Sequence, residues 1–433
     1  MKKSSKSVWS RFVMTFAAAF LLMLVTTVPV KADSSNMPLV KDIKQTDAST
    51  NSVGIIWSCP GSDIRFKIET SEQLSTGYTD YNKRPQSSAS VTLTKLRAGK
   101  VYYVRITPIR YKLEGLGKYT KVKGTTSQPF RVVTEPDSAP ASLTHVKSST
   151  DTIKVKWSAV PGADVYQVVY SQSGTANEFT KETTGTSVTL KKLSKDARYT
   201  IQVRAGMKYT DGRGRAWGLG TTKYDVPVKP TKVEGVKVKG YYQNLSKINI
   251  TNKAKACADG YQYQLYTAYK GQDKETKVKS ITVNQNNPGS SNQVSASMKI
   301  SALKNHNFYK VRVRAYSLNS KNEKIYGVWS SWKYVSPQPD VTKKQKVKKG
   351  IKIKWDKING ADNYVVYVST KKDSGYKKFQ TTAKNSATIT KYGKNKLKSG
   401  KTYYFYVVAQ KKVDNKYQSG KAGNATKRWS MTY

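Results

Sequence analysis

One spacing recurs four times in this chain and limits what it can fold into. Leu96 stands six residues before Tyr102, Leu193 six before Tyr199, Leu303 six before Tyr309 and Leu397 six before Tyr403. After each tyrosine every second residue is apolar: Val104 and Ile106; Ile201, Val203 and Ala205; Val311, Val313 and Ala315; Phe405, Val407 and Ala409. A period of two belongs to a strand with one face in a core, and no stretch sustains a helical period over several turns. A second spacing precedes the first. Trp157 lies nine residues before Tyr166, Trp355 nine before Tyr364 and Trp57 nine before Phe66, while the third copy has Asn252 at the tryptophan position and Tyr261 nine residues on. Four copies of one pattern predict a tandem array of similar β-rich units.

The 433 residues exceed one ordinary domain. The repeats divide them into a leader, 1–32, and units at 33–135, 136–229, 230–339 and 340–433. Units of roughly 100 residues with short alternating strands and Gly/Asn/Asp/Ser/Lys turns predict two-sheet antiparallel sandwiches. In such a sandwich the tryptophan fills the space between the sheets, and the tyrosine forms a corner whose hydroxyl bonds back to upstream backbone. On these residues the chain resembles tandem fibronectin type III domains over essentially all of 36–433. The resemblance implies an all-β, immunoglobulin-like sandwich fold, core roles for Trp57, Trp157 and Trp355, and tyrosine corners at Tyr102, Tyr199, Tyr309 and Tyr403. At the turn after the corner leucine, Gly99 and Gly400 hold the family's glycine position while Asp196 and His306 replace it, a departure expected to affect turn detail more than fold. The third unit diverges most: it lacks its tryptophan and carries an extra stretch around Lys270–Met298. Short proline-bearing linkers separate the units, which predicts limited hinge freedom.

Lys2, Lys3, Lys6 and Arg11 precede the uncharged run Phe12–Val30, which ends in Val30-Lys31-Ala32. This is the pattern of a secretory signal peptide cleaved between Ala32 and Asp33. The competing reading is an uncleaved anchor, since the run approaches the ~20 residues that span a bilayer. No second long apolar stretch, sortase-type signal or lipid-accepting cysteine follows, so the expected location is secreted or non-covalently associated with a bacterial-type cell wall.

Little in the sequence points to catalysis. His145 and His306 have no serine, aspartate or cysteine at a recognised spacing, and no phosphate-binding loop, zinc-protease motif or calcium loop occurs. Asp63, Asp164, Asp259 and Asp362 recur once per unit, which is a turn signature before it is catalytic machinery. Asp211-Gly212-Arg213 reverses the integrin-binding order, so that function is not carried over. Cys59 and Cys257 fall in units one and three, and two separate thiols are expected. The expectation is a non-enzyme with no catalytic, metal or cofactor site.

Charge is the remaining functional signal. The net charge is +50, and the four units carry +7, +6, +13 and +19 in chain order. Of 77 basic residues 63 are lysine, which supplies hydrated point charges rather than the planar fork that reads phosphate bidentately. The runs Lys343, Lys344, Lys346, Lys348, Lys349 and Lys371, Lys372, Lys377, Lys378 are candidate contacts for an anionic cell-wall polymer or polysaccharide. Lysine on exposed strand edges also guards a sandwich against edge pairing. Tyr209, Tyr376 and Tyr417 are candidate exposed platforms for sugars. The favoured reading is a secreted binding and spacer protein, with other surface proteins as further candidate partners. An extracellular nucleic-acid-binding matrix protein is the alternative, and an accessory of a polysaccharide-degrading system ranks below both.

Overall fold

Alternation places the strands. The computed structural model describes residues 37–239, 247–268, 277–284, 292–299, 307–419 and 427–433. Ala32, Asp33, Leu303, His306 and parts of the Lys270–Met298 stretch lie outside the described residues. In the second unit the strands are β1 (Thr144–Ser148), β2 (Ile153–Lys156), β3 (Val165–Gln172), β4 (Glu178–Thr183), β5 (Ser187–Leu190), β6 (Arg198–Lys208) and β7 (Arg215–Pro227). They form one sheet in the order β1-β2-β5 and a second in the order β4-β3-β6-β7, all antiparallel. The other units repeat this three-plus-four arrangement with the β7 counterpart in two pieces. The chain is therefore a row of all-β sandwiches.

The repeat positions make the cores. Trp57, Trp157 and Trp355 lie buried between the sheets, each with its ring 5.2–5.5 Å from the aromatic nine residues later. The corner tyrosines accept a hydrogen bond from the backbone N–H just after the repeat leucine: Arg97 to Tyr102 at 2.8 Å, Ser194 to Tyr199 at 2.7 Å and Lys398 to Tyr403 at 2.9 Å. Tyr309 is buried and accepts from Asn307 Nδ2 at 3.3 Å. A second tyrosine anchor accompanies the first. Tyr166, Tyr261 and Tyr364 accept from the N–H six residues upstream, at Val160, Lys255 and Ile358, pinning the β2–β3 turn. Each such bond contributes about 1 kcal/mol net.

The third unit solves the same packing problem differently. Asn252 is buried at the tryptophan position, and Tyr263 donates to its Oδ1 at 2.7 Å. The counterparts of Tyr263 are Ile68, Val168 and Val366. A larger residue on one strand fills the volume that a smaller one leaves on the facing strand, and the hydroxyl satisfies the buried amide.

Successive units meet through the same two turns: β5–β6 of one against β2–β3 of the next. At the first joint the backbones of Gly99 and Gly162 come so close that a Cβ on Gly162 would stand 2.1 Å from the Gly99 carbonyl oxygen, with φ +81 at Gly162. Arg131 donates to the Lys208 carbonyl at 2.8 Å, and Val133, Met207 and Ala216 form a small apolar cluster there. At the third joint Phe308 N–H donates to the Asn359 carbonyl at 2.8 Å, and Asn359 Nδ2 donates to Asn307 Oδ1 at 3.1 Å. Phe308 and Ala268 pack into the core of the fourth unit, although the sequence divides them from it.

The second joint gives Asp196 a role beyond turn detail. It adopts φ +55, the conformation of Gly99 and Gly400 in the equivalent turns, which Asp tolerates better than most residues. Its carboxylate accepts from Thr231 N at 2.8 Å, Thr231 Oγ1 at 2.6 Å and Lys255 Nζ at 3.0 Å. Beside it Arg198 bridges to Asp259 at 2.5 Å and to the Cys257 carbonyl at 3.0 Å. The departure from the glycine of the equivalent turns is thus the centre of an interunit clasp.

Candidate anionic-polymer surface

The lysines of the fourth unit fall on two surfaces. The strand Val341–Val347 is an edge strand, paired only with Gly350–Trp355. In that ladder Lys343 stands opposite Lys354, and Gln345 opposite Lys352, on the outer face. Lys344 and Lys346 take the alternate positions and reach round the sandwich edge to the last strand: Lys344 Nζ donates to the Ser430 carbonyl at 2.8 Å, and Lys346 Nζ stands 5.3 Å from the Tyr433 ring. The candidate run is therefore split by the strand's own period.

The second surface is the end of the sandwich where the β1–β2, β3–β4 and β5–β6 turns meet. Antiparallel connectivity brings these turns to one pole. Lys348 and Lys349 occupy the first turn and Lys371 and Lys372 the second. Residues 391–401 add Lys391, Lys394, Lys396, Lys398 and Lys401, all exposed. Hydrogen bonds tie the turns together: Tyr433 Oη donates to the Lys348 carbonyl at 3.3 Å, Gly400 N to the Tyr433 carbonyl at 2.6 Å and Tyr392 Oη to the Gly375 carbonyl at 2.8 Å. Lys377 Nζ stands 5.1 Å from the Tyr392 ring at the rim, and Lys378 lies beside it on the edge strand Lys377–Thr382. The acid at this pole is Asp373, 3.7 Å from Arg428. Among the described residues none of the nine pole lysines is in a salt bridge. The sequence grouped Lys343–Lys349 as one run. Geometry regroups Lys348 and Lys349 with Lys371, Lys372 and the 391–401 turn.

The third unit engages Lys310, Arg312 and Arg314 against aromatic rings. On the outer face of its four-stranded sheet Tyr326, Arg314, Trp329, Arg312, Trp332 and Lys310 interleave. Arg314 lies 3.8 Å from the Tyr326 ring and 4.4 Å from Trp329, Arg312 4.3 Å from Trp329 and 4.6 Å from Trp332, and Lys310 Nζ 4.2 Å from Trp332. Gln262 and Gln264 accept from Arg314 and Arg312. Stacked contacts of this kind contribute ~0.5–2 kcal/mol each. Sequence reasoning missed this ladder. The alternation of Lys310, Arg312 and Arg314 between the core valines placed them on one face and was the available signal.

The remaining candidate groups have structural roles. Asp164 accepts from Lys208 N at 3.0 Å, Asp259 from Leu318 N at 2.6 Å and Asp362 from Lys412 N at 2.7 Å, each tying the β2–β3 turn to the end of β6. Asp63 instead pairs with Arg110 at 2.5 Å. Asp211 accepts from Arg213 N and Gly214 N, closing its own hairpin. His145 Nε2 lies 2.7 Å from Ser148 Oγ, but that hydroxyl donates to the Pro227 carbonyl at 2.8 Å, so its proton is not directed at the imidazole. Burial lowers the His145 pKa. Burial raises the Cys257 thiol to about 11, and both cysteines are free. Of the three tyrosines considered for sugar stacking, Tyr417 is half exposed. Tyr209 borders the first joint's apolar cluster, and Tyr376 packs 4.8 Å from the Tyr406 ring with its phenol raised to about 12 by burial.

A cavity of about 630 Å³ opens at the second joint, lined by Asp196, Arg198, Glu234, Lys253, Lys255 and Asp259 among others. Its two central carboxylates are engaged with Lys255 and Arg198. Among the described residues no helix is long and apolar enough to cross a membrane.

Comparison with known families agrees with this geometry in the second unit. Residues 138–217, within the second unit, match the Fibronectin type III domain family. Among solved structures the FN1-FN3 domains of chicken CNTN1 are similar at 19% identity, covering 69% of this chain and 97% of that one, with a TM-score of 0.27. The fold is a tandem of fibronectin type III-like sandwiches, a class whose members generally act as binding or spacer modules.

Proposed function

We propose that this protein is an exported, non-enzymatic spacer of four units, bounded near 135, 229 and 339, that binds an anionic cell-wall polymer or glycan through the turn pole of its fourth unit. The observation that carries the reading is the gathering of nine exposed lysines from three turns, where Asp373 is the acidic side chain among the described residues. A repeating phosphate or carboxylate chain satisfies such a surface without fixed geometry, because each ammonium acts as a hydrated point charge. The joints support the spacer half of the reading, since each interunit contact is held by hydrogen bonds or close backbone packing. Export rests on the leader pattern at 1–32 and its cleavage between Ala32 and Asp33.

The test is retention of the purified protein on a series of immobilised polymers: poly(glycerol phosphate), a uronic-acid polysaccharide, DNA and a neutral glucan. Retention is expected to follow charge density and to fall when Lys348, Lys349, Lys398 and Lys401 become glutamine. Equal retention on the neutral glucan would sink the reading, and binding confined to DNA would favour a nucleic-acid matrix role.

A further inference from the structure

The first unit carries a surface that the polymer reading does not use. Its β6–β7 hairpin, Val101–Gly115 followed by Lys118–Lys123, continues well past the last core residue, Ile109. From Tyr111 to Lys121 every residue is exposed, so four ladder pairs and the turn, on the order of 15 Å, project into solvent. Of the thirteen large hydrophobics exposed among the described residues, four fall within these eleven positions: Tyr111, Leu113, Leu116 and Tyr119. Leu116 is fully exposed at the tip. The equivalent tips of the other units are polar, at Asp211–Arg215, Asn319–Glu323 and Asp414–Asn415. Burial in this fold does not explain the leucines, because no described residue covers them.

The side chains are ordered along the hairpin axis. Leu116 forms the apex between Gly115 and Gly117. Below it Leu113 stands opposite Tyr119, next Tyr111 opposite Lys121, and then Ile109 opposite Lys123, all on one face. Lys112, opposite Thr120, lies on the other face. On the first face an apolar apex is followed by phenols and then by ammonium groups, the depth order of an anionic bilayer, while Lys118, opposite Gly115 just below the apex, lies on the other face with Lys112. Glu114 is the one acid in the segment, against Lys112, Lys118, Lys121 and Lys123, with Arg110 paired to Asp63 at its base. A pocket on a protein partner requires no such axial ordering, whereas a bilayer does.

We infer that this hairpin is a membrane-surface contact, inserting Leu116 and Leu113 shallowly into an anionic lipid leaflet while the lysines meet the headgroups. The site is separate from the fourth unit's lysine pole and stands or falls independently of it. The test is co-sedimentation with vesicles of phosphatidylglycerol and phosphatidylcholine, performed in a background with Lys348, Lys349, Lys398 and Lys401 changed to glutamine so that the pole does not hold the vesicles. The Leu113→Ser/Leu116→Ser pair, which leaves every lysine in place, is expected to weaken binding by roughly tenfold or more. Tyr119→Trp is expected to give fluorescence that shifts to the blue on vesicle addition and is quenched by brominated acyl chains. Vesicle binding unchanged by the serine pair, or an emission from the Tyr119→Trp variant that is indifferent to vesicles, overturns the inference. Soluble poly(glycerol phosphate) competing with the pole but not with the leucine-dependent binding separates the two sites.

Discussion

The third and fourth units are the two most basic, at +13 and +19, and each holds a group of cations that the fold treats in the opposite way to the other. In the third, Arg312 and Arg314 lie between aromatic rings, Lys310 lies against Trp332, and Lys255 closes a clasp on Asp196. In the fourth, nine lysines at the turn pole face solvent without a carboxylate partner among the described residues. Net charge per unit therefore does not measure capacity to bind an anion. What matters is how many cations the fold has already engaged, because a stacked or bridged cation must lose one partner to gain another.

Changes in the third unit and at its joint with the second are expected to alter stability, whereas charge changes in the fourth are expected to alter binding. The largest effect should come from Tyr263→Val, which opens a cavity and leaves the buried Asn252 amide without its donor. A loss of about 4 kcal/mol in urea unfolding is expected. Adding Asn252→Trp to that variant rebuilds the pairing of the sibling units, and most of the loss should return. No recovery would mean that the two positions do not compensate.

Next is Asp196→Ala, which leaves Lys255 and Thr231 without their shared acceptor at a largely buried site and should cost about 2–3 kcal/mol. Asp196→Gly sharpens the measurement, because glycine accepts φ +55 without strain and the residual loss reports the clasp alone. The pH dependence has a definite sign. Burial alone raises the Asp196 carboxyl, but hydrogen bonds from Thr231 and Lys255 outweigh it, and the pKa lies below the ordinary aspartate value. A depressed folded pKa means that the clasp contributes fully above about pH 4 and is lost as pH falls through the lower folded value. Amide exchange at Thr231, followed by NMR from pH 6 to pH 2, should accelerate only at the acid end.

Arg312→Ala should cost about 1–2 kcal/mol by interrupting the ladder between Trp329 and Trp332. The smallest change in stability is expected in the fourth unit, where Lys398→Gln at the turn equivalent to Asp196 should stay within ~0.5 kcal/mol.

Much of the architecture was legible because period and spacing are local properties. The Leu-to-Tyr interval fixes a corner, and alternation after Tyr199 or Tyr403 fixes which face enters the core. The Asn252 departure was visible too, but its remedy lay eleven residues on, where tyrosine replaces the Val or Ile of the siblings. The joints were not legible. Asp196 reads as an irregular turn until the next unit places Thr231 and Lys255 against it. The lysine pole was half legible: Lys348, Lys349, Lys371 and Lys372 are conspicuous as runs, but only the antiparallel topology sets them beside Lys398 and Lys401. Lys344 and Lys346 read as members of one run until the strand period turned them toward Ser430 and Tyr433.

The most direct test of the pole is the salt dependence of binding to poly(glycerol phosphate). The slope of log affinity against log salt counts the phosphates neutralised, at about 0.7 per contact on a single-stranded chain. Changing Lys348, Lys349, Lys398 and Lys401 together to glutamine should reduce that slope by roughly 3 with the unfolding transition unchanged. Changing Arg312 and Arg314 to glutamine should leave it where it was. A slope indifferent to the four lysines but sensitive to the two arginines would contradict the account.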